Sequence, residues 1–223
     1  MPTVLVTGAN RGIGLEFTRQ YAGDGWQVIA CCRKPSEADA LKKVKGEVSI
    51  DAVDVADHEQ IANMAARLKG QAIDLLINNA GVYGPRRGTD TAAWLDVFRA
   101  NTIAPFRLAE ALAPHVARSA HKTIVSLTSR MGSIASNDSG DSPVYRSSKA
   151  ALNMVMKGLS RELKDQGVTV AVFHPGWVKT DMGGKGAPLA IPDSVGSLRK
   201  AIAKLKPADN GKFFNYDGKP LPW

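Results

Sequence analysis

A chain of 223 residues is long enough to bury one sizeable core but short for two separate cores, so we expect one domain spanning residues 1–223. Hydrophobic residues (44%) and charged residues (22%) are close to the averages of globular proteins, which excludes a disordered or collagen-like chain. The formal net charge of +8 fits an anionic cofactor, a nucleic acid or an acidic membrane surface, and composition alone does not choose among these partners.

The apolar runs, cysteines and histidines narrow the class of protein further. No apolar run approaches the ~18 residues of a membrane helix, and Met1 to Thr7 lacks the pattern of a cleavable signal, so we expect a cytoplasmic protein without a membrane partner. Cys31 and Cys32 are neighbours in an apolar run and would point to opposite faces of a strand, which makes them poor disulfide partners. The histidines lack metal-ligand spacing, so we predict no metal.

Short apolar runs alternate with longer amphipathic stretches along the chain. The predicted elements, in chain order, are the strand TVLVT, a helix from Ile13 to Tyr21, the strand WQVIACC, a helix from Glu37 to Val44, the strand VSIDAV, a helix from His58 to Leu68, the strand AIDLLIN, a helix from Ala92 to Ala117, the strand KTIVSLT, a helix from Val144 to Leu163, the strand VTVAVFH, a loop over residues 175–192, a helix from Asp193 to Leu205 and a strand near Lys212 to Phe214. This pattern predicts an α/β protein of the Rossmann type, a doubly wound parallel sheet of about seven strands with helices on both faces.

A glycine-rich turn follows the first strand. In TGANRGIG, Gly8, Gly12 and Gly14 precede an amphipathic helix, and their missing side chains would let a pyrophosphate approach the backbone N–H groups. The helix dipole favours the same anion. The spacing G-x-x-x-G-x-G departs from the commoner dinucleotide fingerprint, and an ordinary tight turn is the alternative. The position directly after strand one favours a dinucleotide site.

The end of the second strand indicates which dinucleotide binds. An acidic residue there normally binds the ribose 2′-hydroxyl of NAD, but this strand ends Cys31-Cys32-Arg33-Lys34. A guanidinium can pair with a 2′-phosphate that a carboxylate would repel. We therefore predict that NADP(H) is preferred over NAD(H), with Arg33 as the first candidate for the phosphate and Arg11 as the second. The alternative is that Arg33 and Lys34 start a solvated loop.

The segment YRSSK places Tyr145 and Lys149 on one face of a predicted helix, about 5–6 Å apart between Cβ atoms. A free phenol has a pKa near 10, and a nearby ammonium lowers that pKa by stabilising the phenolate. Tyr145 would then exchange a proton near neutral pH. Taken alone, a Tyr-x-x-x-Lys pair is also common on protein surfaces.

Together with the glycine turn, this pair resembles the short-chain dehydrogenase/reductase family, whose motifs appear in the family's order over nearly the whole chain. TGANRGIG resembles the cofactor loop, Asp54-Val55 the adenine contact, NNAG at 78–81 the motif after strand four, and HPGWVKT at 174–180 the segment beside the nicotinamide. The cofactor contacts that the resemblance implies are Gly8, Asn10, Arg11, Gly12, Ile13, Gly14, Arg33, Asp54, Val55, Asn79, Ala80, Gly81, Tyr145, Lys149, Pro175, Gly176, Val178 and Thr180.

The same resemblance implies a catalytic set of asparagine, serine, tyrosine and lysine. The serine follows strand five, where VSLTSRMGS offers Ser126, Ser129 and Ser133. We select Ser129, because Ser126 would lie inside the strand. The asparagine falls in the fourth helix, where RANTIAPF supplies Asn101. The predicted catalytic residues are Asn101, Ser129, Tyr145 and Lys149. Structural roles are the alternative for these residues, for example a turn at Ser129 or a bent helix at Asn101.

The family implies an NADP(H)-dependent oxidoreductase that transfers hydride between nicotinamide and a carbonyl or secondary alcohol. Ser129 would donate a hydrogen bond to the carbonyl oxygen and Tyr145 its proton. Lys149 would lower the tyrosine pKa and hold the nicotinamide ribose, and Asn101 would position a water that connects Lys149 to solvent. Within the family, the ending FFNYDGKPLPW resembles the carbonyl-reductase-like branch of sniffer and the bacterial C-factor.

Partners and alternatives follow from the same resemblance. A non-catalytic, dinucleotide-binding signalling protein of the C-factor type is the alternative, and the intact catalytic set argues against it. Nucleic-acid binding has only the net charge in its favour, so we expect no such partner. The expected substrate is a small carbonyl or alcohol, bound beside a short substrate loop at about 175–192. Arg130 and Arg146 flank the predicted serine and tyrosine and would favour acidic substrates if they faced the site. The family implies a homodimer or homotetramer.

Overall fold

Seven strands form one parallel sheet in the computed structural model, which describes residues 1–87 and 90–223. The strands are β1 (Thr3–Thr7), β2 (Gln27–Cys32), β3 (Val48–Ala52), β4 (Leu75–Asn78), β5 (Thr123–Leu127), β6 (Thr169–His174) and β7 (Lys212–Asn215). Their order in the sheet is β3-β2-β1-β4-β5-β6-β7, and every neighbouring pair is parallel. The doubly wound α/β fold predicted from the sequence is therefore confirmed.

Helices cover both faces of this sheet. They are α1 (Gly12–Gly23), α2 (Asp39–Lys42), α3 (His58–Arg67), α4 (Thr91–Phe98), α5 (Ala104–Ala117), α6 (Pro143–Glu162) and α7 (Ile191–Ile202). Among the described residues, no helix combines the length and the apolar character needed to cross a bilayer.

The core consists of two apolar layers, one on each face of the sheet. Val4 and Val6 of β1 pack with α1, α2 and α7 on one face, whereas Leu5 packs with α3, α5 and α6 on the other. Cys31 and Cys32 likewise lie in different layers, as the alternation of a strand predicts, and both thiols are free. Each fully buried aliphatic side chain contributes about 1.5–3 kcal/mol to folding, which explains why strands buried on both faces are almost entirely apolar.

The strand order places the ends of β1 and β4 side by side. The chain winds outward from β1 to β3 and then returns to β4 on the other side of β1. Ligands of open α/β sheets bind outside the carboxyl ends of the strands at such a reversal point. The glycine-rich turn after β1 and the NNAG motif after β4 both lie there.

Two predicted helices differ from the structure. The one from Glu37 to Val44 is reduced to α2, of four residues, after a short 3₁₀ turn. The one from Ala92 to Ala117 is divided into α4 and α5 by a π-helical turn at Arg99–Ile103. Pro105 explains this division, because it has no N–H to donate to the carbonyl of Asn101 four residues earlier. The N–H of Ala104 bonds instead to the carbonyl of Arg99, one residue further back than in an α-helix.

Candidate active site

The glycine-rich turn has no room for side chains at two of its three glycines. Gly8 has a φ of +65°, which favours glycine, and a Cβ at that position would lie 3.1 Å from the Cα of Ala80. A Cβ at Gly14 would overlap the carbonyl oxygen of Gly8 and lie 2.5 Å from Nδ2 of Asn79. Glycine is therefore required for the turn to pack against the end of β4 and lead directly into α1, and a glycine turn at the N-terminus of a helix fits the pyrophosphate of a dinucleotide.

Asn79 and Ala80 hold the glycine turn from the neighbouring strand end. The amide of Asn79 donates to the main-chain oxygens of Thr7 at 2.8 Å and Gly8 at 3.3 Å. In return, Oγ1 of Thr7 accepts the backbone N–H groups of Asn79 and Ala80. The two motifs predicted to contact the cofactor are thus one hydrogen-bonded unit.

The predicted phosphate-binding arginines lie at different points around this unit. Arg33 is exposed just past β2, the neighbour of β1, and forms no ion pair within residues 1–87 and 90–223. Arg11 is also exposed, but its guanidinium pairs with the carboxylate of Asp181 at 2.6 Å. At the end of β3, a carboxylate oxygen of Asp54 accepts the N–H of Ala56 at 3.0 Å. Of the two arginines, Arg33 is the one that remains available to an anion.

The predicted nicotinamide segment returns to the glycine turn. Gly176 has a φ of +86°, and Val178 is buried and forms an isolated bridge with Leu189. A Cβ at Gly12 would lie 3.7 Å from the Cγ2 of Thr180, so this segment reaches the turn after β1. The predicted contacts Pro175, Gly176, Val178 and Thr180 therefore lie along one stretch between β6 and the cofactor cradle.

The serine and tyrosine predicted to be catalytic come together beyond the end of β5. Ser129 caps a short 3₁₀ turn, and its hydroxyl accepts the N–H of Met131 at 3.1 Å. Tyr145 lies in the first turn of α6 and is only 7% exposed. Burial raises the pKa of Tyr145 to about 12, while a side-chain hydrogen bond with Ser129 opposes this rise. The phenol therefore keeps its proton at neutral pH.

The other two serines considered lie elsewhere. Ser126 is inside β5, where its hydroxyl accepts the amide of Asn78 at 3.1 Å. Ser133 donates to the main-chain oxygen of Trp223 at 3.2 Å. Both hydroxyls thus have structural partners, which leaves Ser129 as the serine beside Tyr145.

Lys149 lies next to Tyr145, and the sequence predicts a lowered pKa for the tyrosine, whereas burial raises that pKa. Its Nζ is 5.9 Å from the centre of the Tyr145 ring and donates to the carbonyl of Leu127 at 2.9 Å. Burial lowers the pKa of Lys149 itself from 10.5 to about 8. Burial disfavours the charged form of each group, which raises the pKa of the phenol and lowers the pKa of the ammonium.

The side chain of Asn101 is committed to the backbone of the segment after β4. Its Oδ1 accepts the N–H of Val82 and its Nδ2 donates to the carbonyl of Val82, both at 2.8 Å. The amide also donates to the hydroxyl of Ser148 at 3.0 Å, and Asn101 is fully buried. Its main-chain carbonyl, which Pro105 cannot bond, is a further acceptor that could hold a water. The side chain of Asn101 therefore serves first to hold the segment after β4.

The guanidinium of Arg146 is engaged within the protein, which provides no support for the predicted preference for acidic substrates. Its guanidinium pairs with Asp141 at 2.9 Å and donates to the hydroxyl of Ser139 at 3.0 Å. These bonds attach the segment between Ser129 and Tyr145 to α6. Sequence reasoning gave no indication of this attachment.

Tyr83 was also missed from the sequence. Its ring stacks on the ring of Tyr145, with centroids 4.6 Å apart. The only available indication was its position two residues after the NNAG motif.

His174 provides a test of burial at the nicotinamide segment. Burial, together with the charge of Arg130, lowers the pKa of His174 from 6.5 to about 4. Between these pH values only the unfolded chain takes up this proton, so the free energy of unfolding falls as the pH drops from about 6.5 towards 4. Through His174, the free energy of unfolding of the unmodified protein should fall by about 2 kcal/mol between pH 7 and 5. In His174→Asn the fall over the same pH range should be smaller by that amount.

Urea unfolding at a series of pH values measures this difference. His58→Asn, at an exposed histidine of α3, is the matched control for the same substitution away from the buried site. Parallel curves for the unmodified protein and His174→Asn would show that His174 is not held neutral by burial.

Comparison with known proteins agrees with the geometry. The family model described as short chain dehydrogenase matches residues 2–188. The C-signal protein of Myxococcus xanthus is 42% identical over 154 residues, which cover 68% of this chain and 93% of that protein. The carbonyl reductase Sniffer of D. melanogaster has a TM-score of 0.94 at 34% identity, with 100% of both chains covered. The NADPH-bound carbonyl reductase from chicken fatty liver has a TM-score of 0.90 at 34% identity, covering 100% of this chain and 99% of that one. The chain therefore belongs to the short-chain dehydrogenase family and is an oxidoreductase.

Proposed function

We propose that the protein is an NADP(H)-dependent reductase of carbonyl compounds, with the secondary alcohol as the product. The observation that carries this proposal is the placement of a buried, protonated phenol beside Ser129 at the sheet edge that carries the glycine cradle. The similarity to two carbonyl reductases, one of them bound to NADPH, supports it.

Ser129, Tyr145 and Lys149 have separate roles in the proposed reduction. Bound NADPH supplies the hydride for the carbonyl carbon. As negative charge develops on the carbonyl oxygen, the Ser129 hydroxyl donates a hydrogen bond to it. Tyr145 donates its proton to the same oxygen. Lys149, whose pKa of about 8 lies near neutrality, then returns a proton to the tyrosine, either directly or through water.

Arg33 is the proposed partner of the 2′-phosphate that distinguishes NADPH from NADH. Arg33 has no carboxylate partner among the residues that the structure describes, so its guanidinium can form charge-assisted hydrogen bonds to that phosphate. We expect Arg33→Ala to weaken NADPH binding about tenfold to hundredfold while leaving NADH binding almost unchanged, as the loss of such bonds predicts.

Fluorescence titration with each nucleotide measures both affinities. Arg118→Ala, at an exposed arginine after α5, is the matched control for a lost surface charge. Equal weakening of NADPH and NADH, or no weakening, would show that Arg33 does not bind the 2′-phosphate.

A panel of aldehydes, ketones and quinones tests the reaction itself. Loss of NADPH absorbance in the presence of at least one carbonyl, with the matching alcohol as product, is the expected result. Tight NADPH binding without turnover of any compound would favour the second candidate function, a dinucleotide-binding signalling protein, which the similarity to the C-signal protein supports.

Location, assembly and the substrate loop belong to the same proposal. We place the protein in the cytoplasm, where NADPH is available for reduction, and assign residues 175–192 to the wall of the substrate site. Large apolar side chains are exposed on neighbouring helices, namely Leu95 on α4 and Met154 on α6, at 55% and 72% exposure. The homodimer or homotetramer that the family implies is part of the proposal, and burial of these two side chains between subunits would stabilise it.

A further inference from the structure

Tyr83 makes two contacts that the proton transfer described above does not use. Its ring lies on the ring of Tyr145, with centroids 4.6 Å apart and planes 22° from parallel. Its hydroxyl lies 2.9 Å from the hydroxyl of Ser142, the residue immediately before α6. We propose that Tyr83 is a positioning residue, which fixes the ring of Tyr145 in the orientation needed for proton donation. This inference rests on the proposed function.

The main chain is anchored on both sides of Tyr83. On one side, the N–H and carbonyl of Val82 are both bonded to the side chain of Asn101. On the other, Gly84 has a φ of +72°, and a Cβ there would overlap the side chain of Val97. Residues 82–84 are therefore fixed to the turn between α4 and α5 and to α4 itself. A ring carried by such a segment is a rigid support for its neighbour.

The contact with Ser142 acts on the first turn of α6. Ser142 is buried and has a φ of +50° and a ψ of 52°, a left-handed conformation that is uncommon for residues other than glycine. Such a conformation persists only where the surroundings hold it. The Tyr83 hydroxyl is one of the groups that hold it. Since Tyr145 follows three residues later, the position of its ring depends on this start of the helix.

The two contacts together determine where the phenol oxygen of Tyr145 lies. The stacked ring limits tilting of the Tyr145 ring, because aromatic pairs prefer offset, near-parallel or edge-on arrangements. The hydroxyl contact limits movement of the helix start. A proton donor must lie within hydrogen-bond reach of its acceptor, so a small displacement lowers the rate without preventing binding.

Three variants distinguish the contribution of the Tyr83 ring from that of the Tyr83 hydroxyl. Tyr83→Leu removes the stacked ring and the hydroxyl, Tyr83→Phe keeps the ring, and Ser142→Ala removes the partner hydroxyl. We expect Tyr83→Leu to lower kcat about tenfold, with the Kd for NADPH within about twofold of the unmodified protein. Tyr83→Phe and Ser142→Ala should each lower kcat by a smaller factor, about threefold, because each loses the hydroxyl contact and keeps the stacking.

A purely structural role predicts another pattern. Loss of stability alone would lower the melting temperature and the fraction of protein that binds NADPH, while kcat per binding-competent molecule would stay the same. That pattern in Tyr83→Leu, or an equal loss of kcat in Tyr83→Phe, would overturn the proposal.

A measurement without substrate keeps this inference separate from the proposed function. In protein labelled with 13C at the tyrosine ζ position, the Tyr145 signal is assigned by its absence in Tyr145→Phe. We expect this signal to shift and broaden in Tyr83→Leu and to stay close to its original position in Tyr83→Phe. If the unmodified protein turns over no carbonyl, the proposed function fails. The comparison of the Tyr145 signals still shows whether Tyr83 fixes the ring of Tyr145. An unchanged Tyr145 signal in Tyr83→Leu would show that Tyr83 does not fix the ring.

Discussion

Replacing Tyr145 with phenylalanine should lower kcat/KM for carbonyl reduction by about 10²–10⁴, the range that a positioned general acid contributes. The phenylalanine ring would keep the packing against Tyr83, and the hydrogen bond with Ser129 and the donated proton would both be lost. NADPH affinity should change little, because the glycine cradle lies on other elements. Steady-state kinetics together with a fluorescence titration of NADPH measure the two effects separately.

The same change at Tyr21 is the matched control. Tyr21 is a buried tyrosine of α1 whose ring packs under the guanidinium of Arg199, and it is not among the residues gathered beside Ser129. Tyr21→Phe should therefore retain normal turnover per folded molecule. If Tyr145→Phe turned over carbonyls at the rate of the unmodified protein, another group would have to be the proton donor.

Replacing Gly14 with alanine should weaken NADPH binding by more than about a hundredfold. The new Cβ would overlap the carbonyl oxygen of Gly8 and crowd the amide of Asn79, so the turn would have to open. Since the backbone N–H groups of this turn are the proposed donors to the pyrophosphate, a changed turn loses several charge-assisted hydrogen bonds together. Isothermal titration calorimetry with NADPH gives the affinity.

Gly23→Ala is the matched control on the same helix. A Cβ at Gly23 meets no atom within 4 Å, so this variant should bind NADPH as the unmodified protein does. Circular dichroism then shows whether Gly14→Ala keeps its helical content. A folded Gly14→Ala protein with normal NADPH affinity would mean that the dinucleotide binds away from the glycine turn.

Much of the fold follows from local sequence patterns. The central strands are short apolar runs buried on both faces, as at Val4 to Val6 of β1, and the sequence pattern locates such runs. The turn glycines lie between an apolar run and an amphipathic helix, and this order predicts that they follow the first strand at the edge of the sheet. The motif residues around Asn79 and Ala80 could be assigned to the same edge by resemblance.

Other features depend on tertiary contacts that the pattern does not contain. The π-helical turn at Asn101 results from Pro105, which has no N–H for the carbonyl four residues earlier. The hydrophobic periodicity continues through this region and predicts one uninterrupted helix. The pKa values of Tyr145 and Lys149 depend on burial, which changed the direction expected for the tyrosine. The ion pair between Arg146 of α6 and Asp141 of the preceding loop depends on the conformation of that loop, which has no periodic signal in the sequence.

The stack of Tyr83 on Tyr145 illustrates the same limit. The two residues are separated by α4, α5 and β5 in the sequence, and only the parallel sheet brings their segments together. Motif resemblance did not mark Tyr83, because it lies just outside the NNAG motif.

Transfer of deuterium from the cofactor to the product tests the central claim most directly. NADPH carrying deuterium at C4 in one or the other configuration is incubated with a carbonyl from the panel, and the alcohol is analysed by mass spectrometry. The proposed function predicts that one configuration delivers a single deuterium to the former carbonyl carbon and the other delivers none. Unlabelled alcohol with both cofactors, or bound NADPH with no alcohol from any carbonyl, would contradict the assignment as a carbonyl reductase.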